Sequence, residues 1–251
     1  MTDRDKVMSP SAGFALAGYP LFEADREALA RSLHDRLQRG GRSVLLYANT
    51  NFVVQCRHLL PQLRAPDVLI VNDGVGMDIA SLLLRQQRFK DNLNGTDFTP
   101  YFFAQASAPM RVFLLGGKPE VIGRAAAFVS GQLGQVVVGT CDGYGGMRQA
   151  QDLVSRINDS HADVVLVAMG NPLQEQWILD HYRLLDAGLV SGVGALFDFW
   201  AGDKPRAPLW VRNLRMEWCY RLCLEPKRLF KRYTIDIVAF LLVCLRYRAS
   251  Q

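Results

Sequence analysis

Asp73 stands in Asn72-Asp73-Gly74-Val75-Gly76, directly after the apolar run Asp67–Val71. A carboxylate at the end of a buried strand is partly desolvated and more basic than in water. That suits a general base, which must lie within hydrogen-bond reach of the proton it takes. A second group, Gly116-Gly117-Lys118 ahead of Pro119, lets backbone approach a phosphate, with Lys118 as countercharge. It is neither the dinucleotide glycine fingerprint nor a P-loop. A third, Gly170-Asn171-Pro172-x-Gln174-Glu175, follows the Val-rich run Asp163–Met169. Asn is a good N-cap, Pro is tolerated at the first helical position, and Asn171 and Gln174 have the spacing of a capping box. Gly192-Val193-Gly194 with Asp198 has the make-up of a further nucleotide-contacting turn. Any one of these groups would also serve as an ordinary turn or helix start. None of the four His residues has nucleophile or zinc spacing, and no G-x-S-x-G occurs, which disfavours hydrolase and metalloenzyme chemistry.

The elements that would carry these groups alternate. Strands are expected at Ser43–Ala48, Asp67–Val71, Arg111–Leu115, Gln135–Gly139, Asp163–Met169 and Leu189–Ser191. Helical periodicity covers Glu23–Gln38, Phe52–Leu63, Met77–Gln87, Glu120–Leu133 and Met147–Asp159, with Phe89–Pro100 reading as a polar loop. Crossovers of this length force parallel pairing with helices on both faces, so the expected fold is an α/β, Rossmann-like parallel sheet. The polar and Gly-rich groups fall after the strands. They therefore gather at the carboxyl edge, where open α/β sheets bind ligands.

With 251 residues, 49% hydrophobic and 21% charged, the composition is that of a globular protein large enough for one sizeable core. The net charge of +5 is unevenly spread. Residues 204–251 hold eleven of the 29 basic and three of the 24 acidic side chains, a net of +8 against −3 for the body. The expected division is thus a Rossmann-like domain, 1–203, and a basic, amphipathic helical appendage, 204–251, facing an anionic partner. Its Trp and Leu residues fit a headgroup boundary or a protein core equally well. The N-terminus lacks a secretory signal, and Ile235–Leu245, broken by Asp236, is about half the length a bilayer span requires. Five scattered cysteines without C-x-x-C spacing indicate neither a disulfide framework nor a zinc site. The one D-x-D, Asp3-Arg4-Asp5, lies at the extreme N-terminus, so no metal is expected.

The groups also occur in a telling order. Thr50-Asn51, Asn72–Gly76, Asn94-Gly95-Thr96-Asp97, Gly116-Gly117, Gly170–Glu175 and Gly192–Asp198 are followed by Ala201-Gly202, Arg206-Ala207-Pro208, Glu217-Trp218, Arg221-Leu222, Glu225-Pro226 and Arg228. From about residue 14 to residue 233 this set resembles the WecG/TagA/CpsF family of bacterial glycosyltransferases, glycosyltransferase family 26. The G-N-P-x-Q-E block and the G-V-G-A-x-F-D…A-G…R-A-P block are the specific part of the likeness.

The resemblance implies an inverting, metal-independent and cofactor-free transfer of a hexose from a UDP-sugar to a polyprenyl-diphosphate-linked sugar. It implies a peripheral enzyme of exopolysaccharide synthesis at the cytoplasmic face of the inner membrane, acting on no nucleic acid and possible as a homo-oligomer. Among its members the chain is most similar to the xanthan-type glucosyltransferases, which points to glucose; N-acetylmannosamine or N-acetylmannosaminuronic acid is the alternative donor sugar. By this likeness Asp73 is the base. Asn49, Thr50, Asn51, Asn94, Asp97, Gly117, Lys118, Gly170, Asn171, Pro172, Gln174, Glu175, Gly194, Asp198 and Arg206 contact substrate. Arg212, Arg215, Arg221, Arg228, Lys231 and Arg232 meet membrane or acceptor. Family members often carry Arg at the position of Asn92, so anion neutralisation is expected from Arg88, Lys90, Lys118 or the tail. A dinucleotide oxidoreductase of similar fold is the rival, but the chain lacks the glycine fingerprint in its first turn.

Overall fold

The computed structural model describes residues 14–149, 152–208, 211, 217–224 and 226–249. A two-stranded hairpin, β1 (Ala15–Leu16) and β2 (Tyr19–Pro20), leads into α1 (Arg26–Gln38), whose first turn is capped by Asp25 accepting from the Ala28 N–H. Six parallel strands follow: β3 (Ser43–Ala48), β4 (Val68–Asn72), β5 (Arg111–Gly116), β6 (Val136–Cys141), β7 (Val164–Ala168) and β8 (Leu189–Gly192). They form one sheet in the order β4-β3-β8-β7-β5-β6. The expected α/β parallel sheet is the observed one.

Every residue of β3, β4, β7 and β8 is buried, because helices cover both faces. Alternation along a strand divides the core in two. Val44, Leu46 and Ala48 of β3 join Phe52, Leu63, Met77 and Ile178 on one side. Leu45 and Tyr47 join Leu29, Phe102, Val129 and Phe197 on the other.

Several helices differ from expectation for identifiable reasons. The segment read as a polar loop, Phe89–Pro100, runs into α5 (Gly95–Ala104), capped by Asn94, with Phe98, Phe102 and Phe103 buried. Pro100 lies inside it, and its missing N–H orphans the Thr96 carbonyl. Arg206 Nη1 reaches that carbonyl at 3.4 Å. The expected helix Phe52–Leu63 is α2 (Thr50–Gln55), a 3-10 turn (Arg57–Leu59) and α3 (Leu60–Leu63). Met147–Asp159 resolves into α7 (Gly145–Gln149) and α8 (Leu153–Asp159). Three further helices, α4 (Val75–Arg85), α6 (Pro119–Gly131) and α9 (Leu173–His181), connect strands, and a short α10 (Leu196–Trp200), absent from the sequence reading, follows β8.

Two helices, Glu217–Leu224 and Pro226–Ala249, are described in the basic C-terminal region. The second packs against α2 and α4. Its Phe240 and Cys244 are 1% and 2% exposed and belong to the same core as Phe52, Val53, Cys56 and Met77. Val238, Leu242 and Leu245 are exposed on the same helix. Among the described residues, no helix is long and apolar enough to cross a membrane.

Because Phe240 is part of the core, Phe240→Ala should cost about 3–5 kcal/mol. Urea unfolding of the full chain followed by circular dichroism would measure this, and a loss under 1 kcal/mol would mean that the last helix does not pack there.

Candidate active site

The strand order places the polar groups in a row along the carboxyl edge. Asp73 comes after β4, Asn49 to Asn51 after β3, Gly194 after β8, Gly170 to Gln174 after β7, and Gly117-Lys118 after β5. Four strand spacings of about 4.8 Å separate β4 from β5, a row of about 19 Å. The connection after β5 runs outward to β6 and the one after β7 runs the other way to β8, so a crevice opens between them.

At the β4 end, Asp73 is held by its backbone. Its N–H donates to the Ala48 carbonyl (2.7 Å), and the next amide, of Gly74, donates to Asn92 Oδ1 (2.8 Å). Asn72 is 1% exposed and donates to the Asp91 carbonyl, which pins the 91–93 segment beneath the turn. Asn92, seen in the sequence only as a missing arginine, therefore fixes the turn that carries the carboxylate. Nothing in the spacing signals that role. The Asp73 carboxylate is half-buried and receives a long bond from Asn49 Nδ2 (3.4 Å). Asn49 in turn caps α2, accepting from the Phe52 N–H.

In the middle of the row lies a polar chain, buried at Gln174 and Glu175 and half-buried at Asn51 and Asn171. Asn51 Nδ2 donates to Asn171 Oδ1 (3.3 Å), and Asn171 Nδ2 donates to Glu175 Oε1 (2.7 Å). Gln174 Nε2 donates to the same oxygen (2.7 Å), while Gln174 Oε1 accepts from the N–H groups of Gly170 (3.2 Å) and Gly194 (2.9 Å). The capping box expected at Asn171 and Gln174 is consequently not formed. Helix α9 starts one residue later, its N-cap is Pro172 after a cis Asn171–Pro172 bond, and no side chain caps it. Both amides have found tertiary partners instead. Glu175 is 1% exposed, and burial raises its pKa against the opposing effect of these hydrogen bonds. Burial also pushes up the thiol of Cys56, which donates to Glu175 Oε2 (3.6 Å). Thr50 is buried against Gly76.

Beyond β7 the edge is mostly backbone. Gly116 has φ +108°, and a Cβ there would overlap the Ala168 carbonyl. Gly117 N–H donates to that carbonyl (2.9 Å), and Gly143 N–H donates to the Gly117 carbonyl (2.9 Å). Lys118 is exposed at the start of α6. After β6, Asp142 accepts from the N–H groups of Tyr144 and Gly146, which hold its carboxyl below the usual range. They also fix a turn on which Tyr144 is 58% exposed. Tyr144 was not singled out from the sequence, although its D-G-x-G-G setting after a strand was the available signal.

The remaining site residues form ion pairs. Asp97, capped by Asn94, accepts from Arg206 Nη2 (2.9 Å), and Asp198 pairs with Lys204. Arg88 and Lys90 are exposed. Arg212 and Arg215 lie outside the described residues, as do Asp3 and Asp5. Arg221 falls in the helix Glu217–Leu224, and Arg228, Lys231 and Arg232 in Pro226–Ala249. Among the described residues, no three His, Cys, Asp or Glu side chains gather as a metal site would.

Residues 14–251 match the model of the Glycosyl transferase WecG/TagA/CpsF family. The chain belongs to this family. It is a glycosyltransferase, and the dinucleotide oxidoreductase reading falls with that finding. A sugar donor and an acceptor are accordingly its substrates.

The glycine contacts make a sharp comparison. Gly116→Ala should lose about 1–3 kcal/mol from its backbone conformation alone, with the carbonyl overlap in addition. Gly123→Ala, on an open face of α6, should gain about 0.5–1 kcal/mol. Chemical denaturation of both variants checks this, and equal stabilities would remove the close approach of β5 and β7 at this edge.

Proposed function

We propose that the protein moves a hexose, glucose in the reading that best fits its likeness to xanthan-type glucosyltransferases, from a UDP-sugar to a polyprenyl-diphosphate-linked sugar. The observation that carries the proposal is the half-buried Asp73 carboxylate, held on a doubly bonded turn at the carboxyl edge of a family glycosyltransferase. In this reaction an acceptor hydroxyl gives its proton to Asp73 while its oxygen forms a bond to the anomeric carbon. The bond to UDP breaks on the opposite face, its electron pair leaves with the diphosphate, and the configuration inverts. A base of this kind contributes about 10²–10⁴ in rate.

The donor would lie along the row of strand ends, its sugar toward Asp73 and its nucleotide toward the crevice between β5 and β7. Tyr144 offers an exposed ring to stack on the base, and Asp198 a carboxylate to the uridine. Charge on the departing diphosphate would meet the start of α6, Lys118 and the basic C-terminal region. No divalent metal is part of this proposal. N-acetylmannosamine and N-acetylmannosaminuronic acid are the alternative donor sugars.

A polyprenyl acceptor stays in its bilayer, so the enzyme must come to the membrane surface, the cytoplasmic face of the inner membrane in this reading. The +8 charge of residues 204–251 suits anionic lipid, where each cation near the surface contributes about 1 kcal/mol at low salt.

The test is transfer from a panel of UDP-sugars to synthetic lipid-diphosphate sugars, with products identified by mass. Asp73→Asn should bind UDP within a few-fold of the parent yet lose about 10²–10⁴ in transfer rate; more than half the parent rate would remove Asp73 from the chemistry. The full chain should sediment with vesicles containing phosphatidylglycerol at low salt and be released at about 1 M salt, where the screening length is about 3 Å. Equal sedimentation with neutral vesicles would refute the electrostatic attachment.

A further inference from the structure

The buried chain of amides has only one consistent polarity. Glu175 Oε1 accepts twice, so it requires the NH₂ ends of both Asn171 and Gln174. Gln174 is then left with its carbonyl for the Gly170 and Gly194 N–H groups. Those two backbone donors, which belong to the turns after β7 and β8, impose the same orientation independently. Asn171 is left with its carbonyl for Asn51, which must supply its own NH₂. The polarity set at Glu175 therefore runs through three amides. It ends at Asn51 Oδ1, which has no partner among the described residues and belongs to a half-buried side chain at the edge.

We propose that Glu175 is a positioning residue for sugar transfer: it clamps the turns after β7 and β8 to one another and leaves Asn51 presenting a carbonyl acceptor to a hydroxyl of the bound glycosyl donor. An oxygen acceptor repels phosphate and carboxylate oxygens, so the contact favours a donor group, which a sugar hydroxyl supplies. Glu175 itself, enclosed by Asn171, Gln174 and Cys56, reaches no substrate. The contact at Asn51 rests on the UDP-sugar reading above, whereas the clamp does not.

The experiment uses the full chain labelled with ¹⁵N-glycine, so that hydrogen exchange at Gly170 and Gly194 is read directly, alongside KM and kcat for UDP-glucose. Glu175→Gln keeps an acceptor oxygen for both amides and can turn its NH₂ to the Cys56 sulfur. Glycine exchange, KM and kcat should all stay within about threefold, less than one hydrogen bond is worth. Glu175→Met, similar in length but without an acceptor, should speed exchange at both glycines and raise KM by about tenfold or more, with kcat changing less, as loss of a bond's worth of about 1.4 kcal/mol requires. Asn51→Ala, a smaller perturbation, should raise KM by about tenfold while glycine exchange stays at the parent rate.

Unchanged exchange in Glu175→Met overturns the clamp. Equal loss of transfer in Glu175→Gln and Glu175→Met overturns it too, since it would mean that charge or proton transfer is the role of Glu175. An unchanged KM in Asn51→Ala overturns the contact. If the parent protein turns over no UDP-sugar, the reaction reading fails, and the glycine exchange still decides the clamp.

Discussion

A carboxylate withdrawn from water must be paired or hydrogen-bonded, or it takes up a proton. Glu175 meets that requirement within a few ångströms of the chemical edge, and the groups that meet it are the ones that hold the edge together. Asn171 and Gln174 are spent on the carboxylate, which directs their other ends to Asn51, Gly170 and Gly194. Those partners follow β3, β7 and β8, three adjacent strands of the sheet. One buried carboxyl group thus fixes the relative placement of three loops that share no sequence proximity. The burial that raises its pKa is the cost of that arrangement, offset by three converging donors.

On either side of this centre the edge is built in two different ways. Toward β4 it is made of side chains on a braced turn, with Asn92, Asn72 and Asn49 holding a carboxylate that stays accessible. Toward β5 and β6 it is made of backbone, because Gly116 and Gly143 let the turns after β5, β6 and β7 approach one another closely. The row therefore changes in character along its length, from side chains on a braced turn to closely packed backbone.

The strands were legible because burial on both faces leaves a plain signature, Val- and Leu-rich runs such as Val164–Ala168 bounded by polar turns. The edge was legible for the same reason, since whatever follows a strand lands on it. The failures came where a local pattern had a distant partner. Asn171 and Gln174 have capping-box spacing, yet their hydrogen bonds go to Asn51 and Gly194, 120 and 20 residues away. Pro100 reads as a break, yet α5 passes through it because the bond it removes is replaced by Arg206, 110 residues downstream of Thr96. Asn92 had no local pattern at all. Polar side chains whose partners come from another loop cannot be assigned by spacing, and this site is made largely of such side chains.

The basic C-terminal region is also bound into this logic. The helix Pro226–Ala249 inserts Phe240 and Cys244 into the core that contains Phe52, Val53 and Cys56 of α2 and its C-cap. The first turn of α2 carries Thr50 and Asn51, and Asn49 caps it. Cys56 touches Glu175. A force on the last helix is therefore transmitted by packing, with no flexible linker between, to the helix that presents three of the edge asparagine and threonine side chains. The same helix keeps Val238, Leu242 and Leu245 exposed on its other side. Its two faces thus join an exposed apolar stripe to the core that holds α2. Displacing the helix would uncover apolar core as well as disturb α2, so the packing of the last helix and the order of the edge are one physical problem.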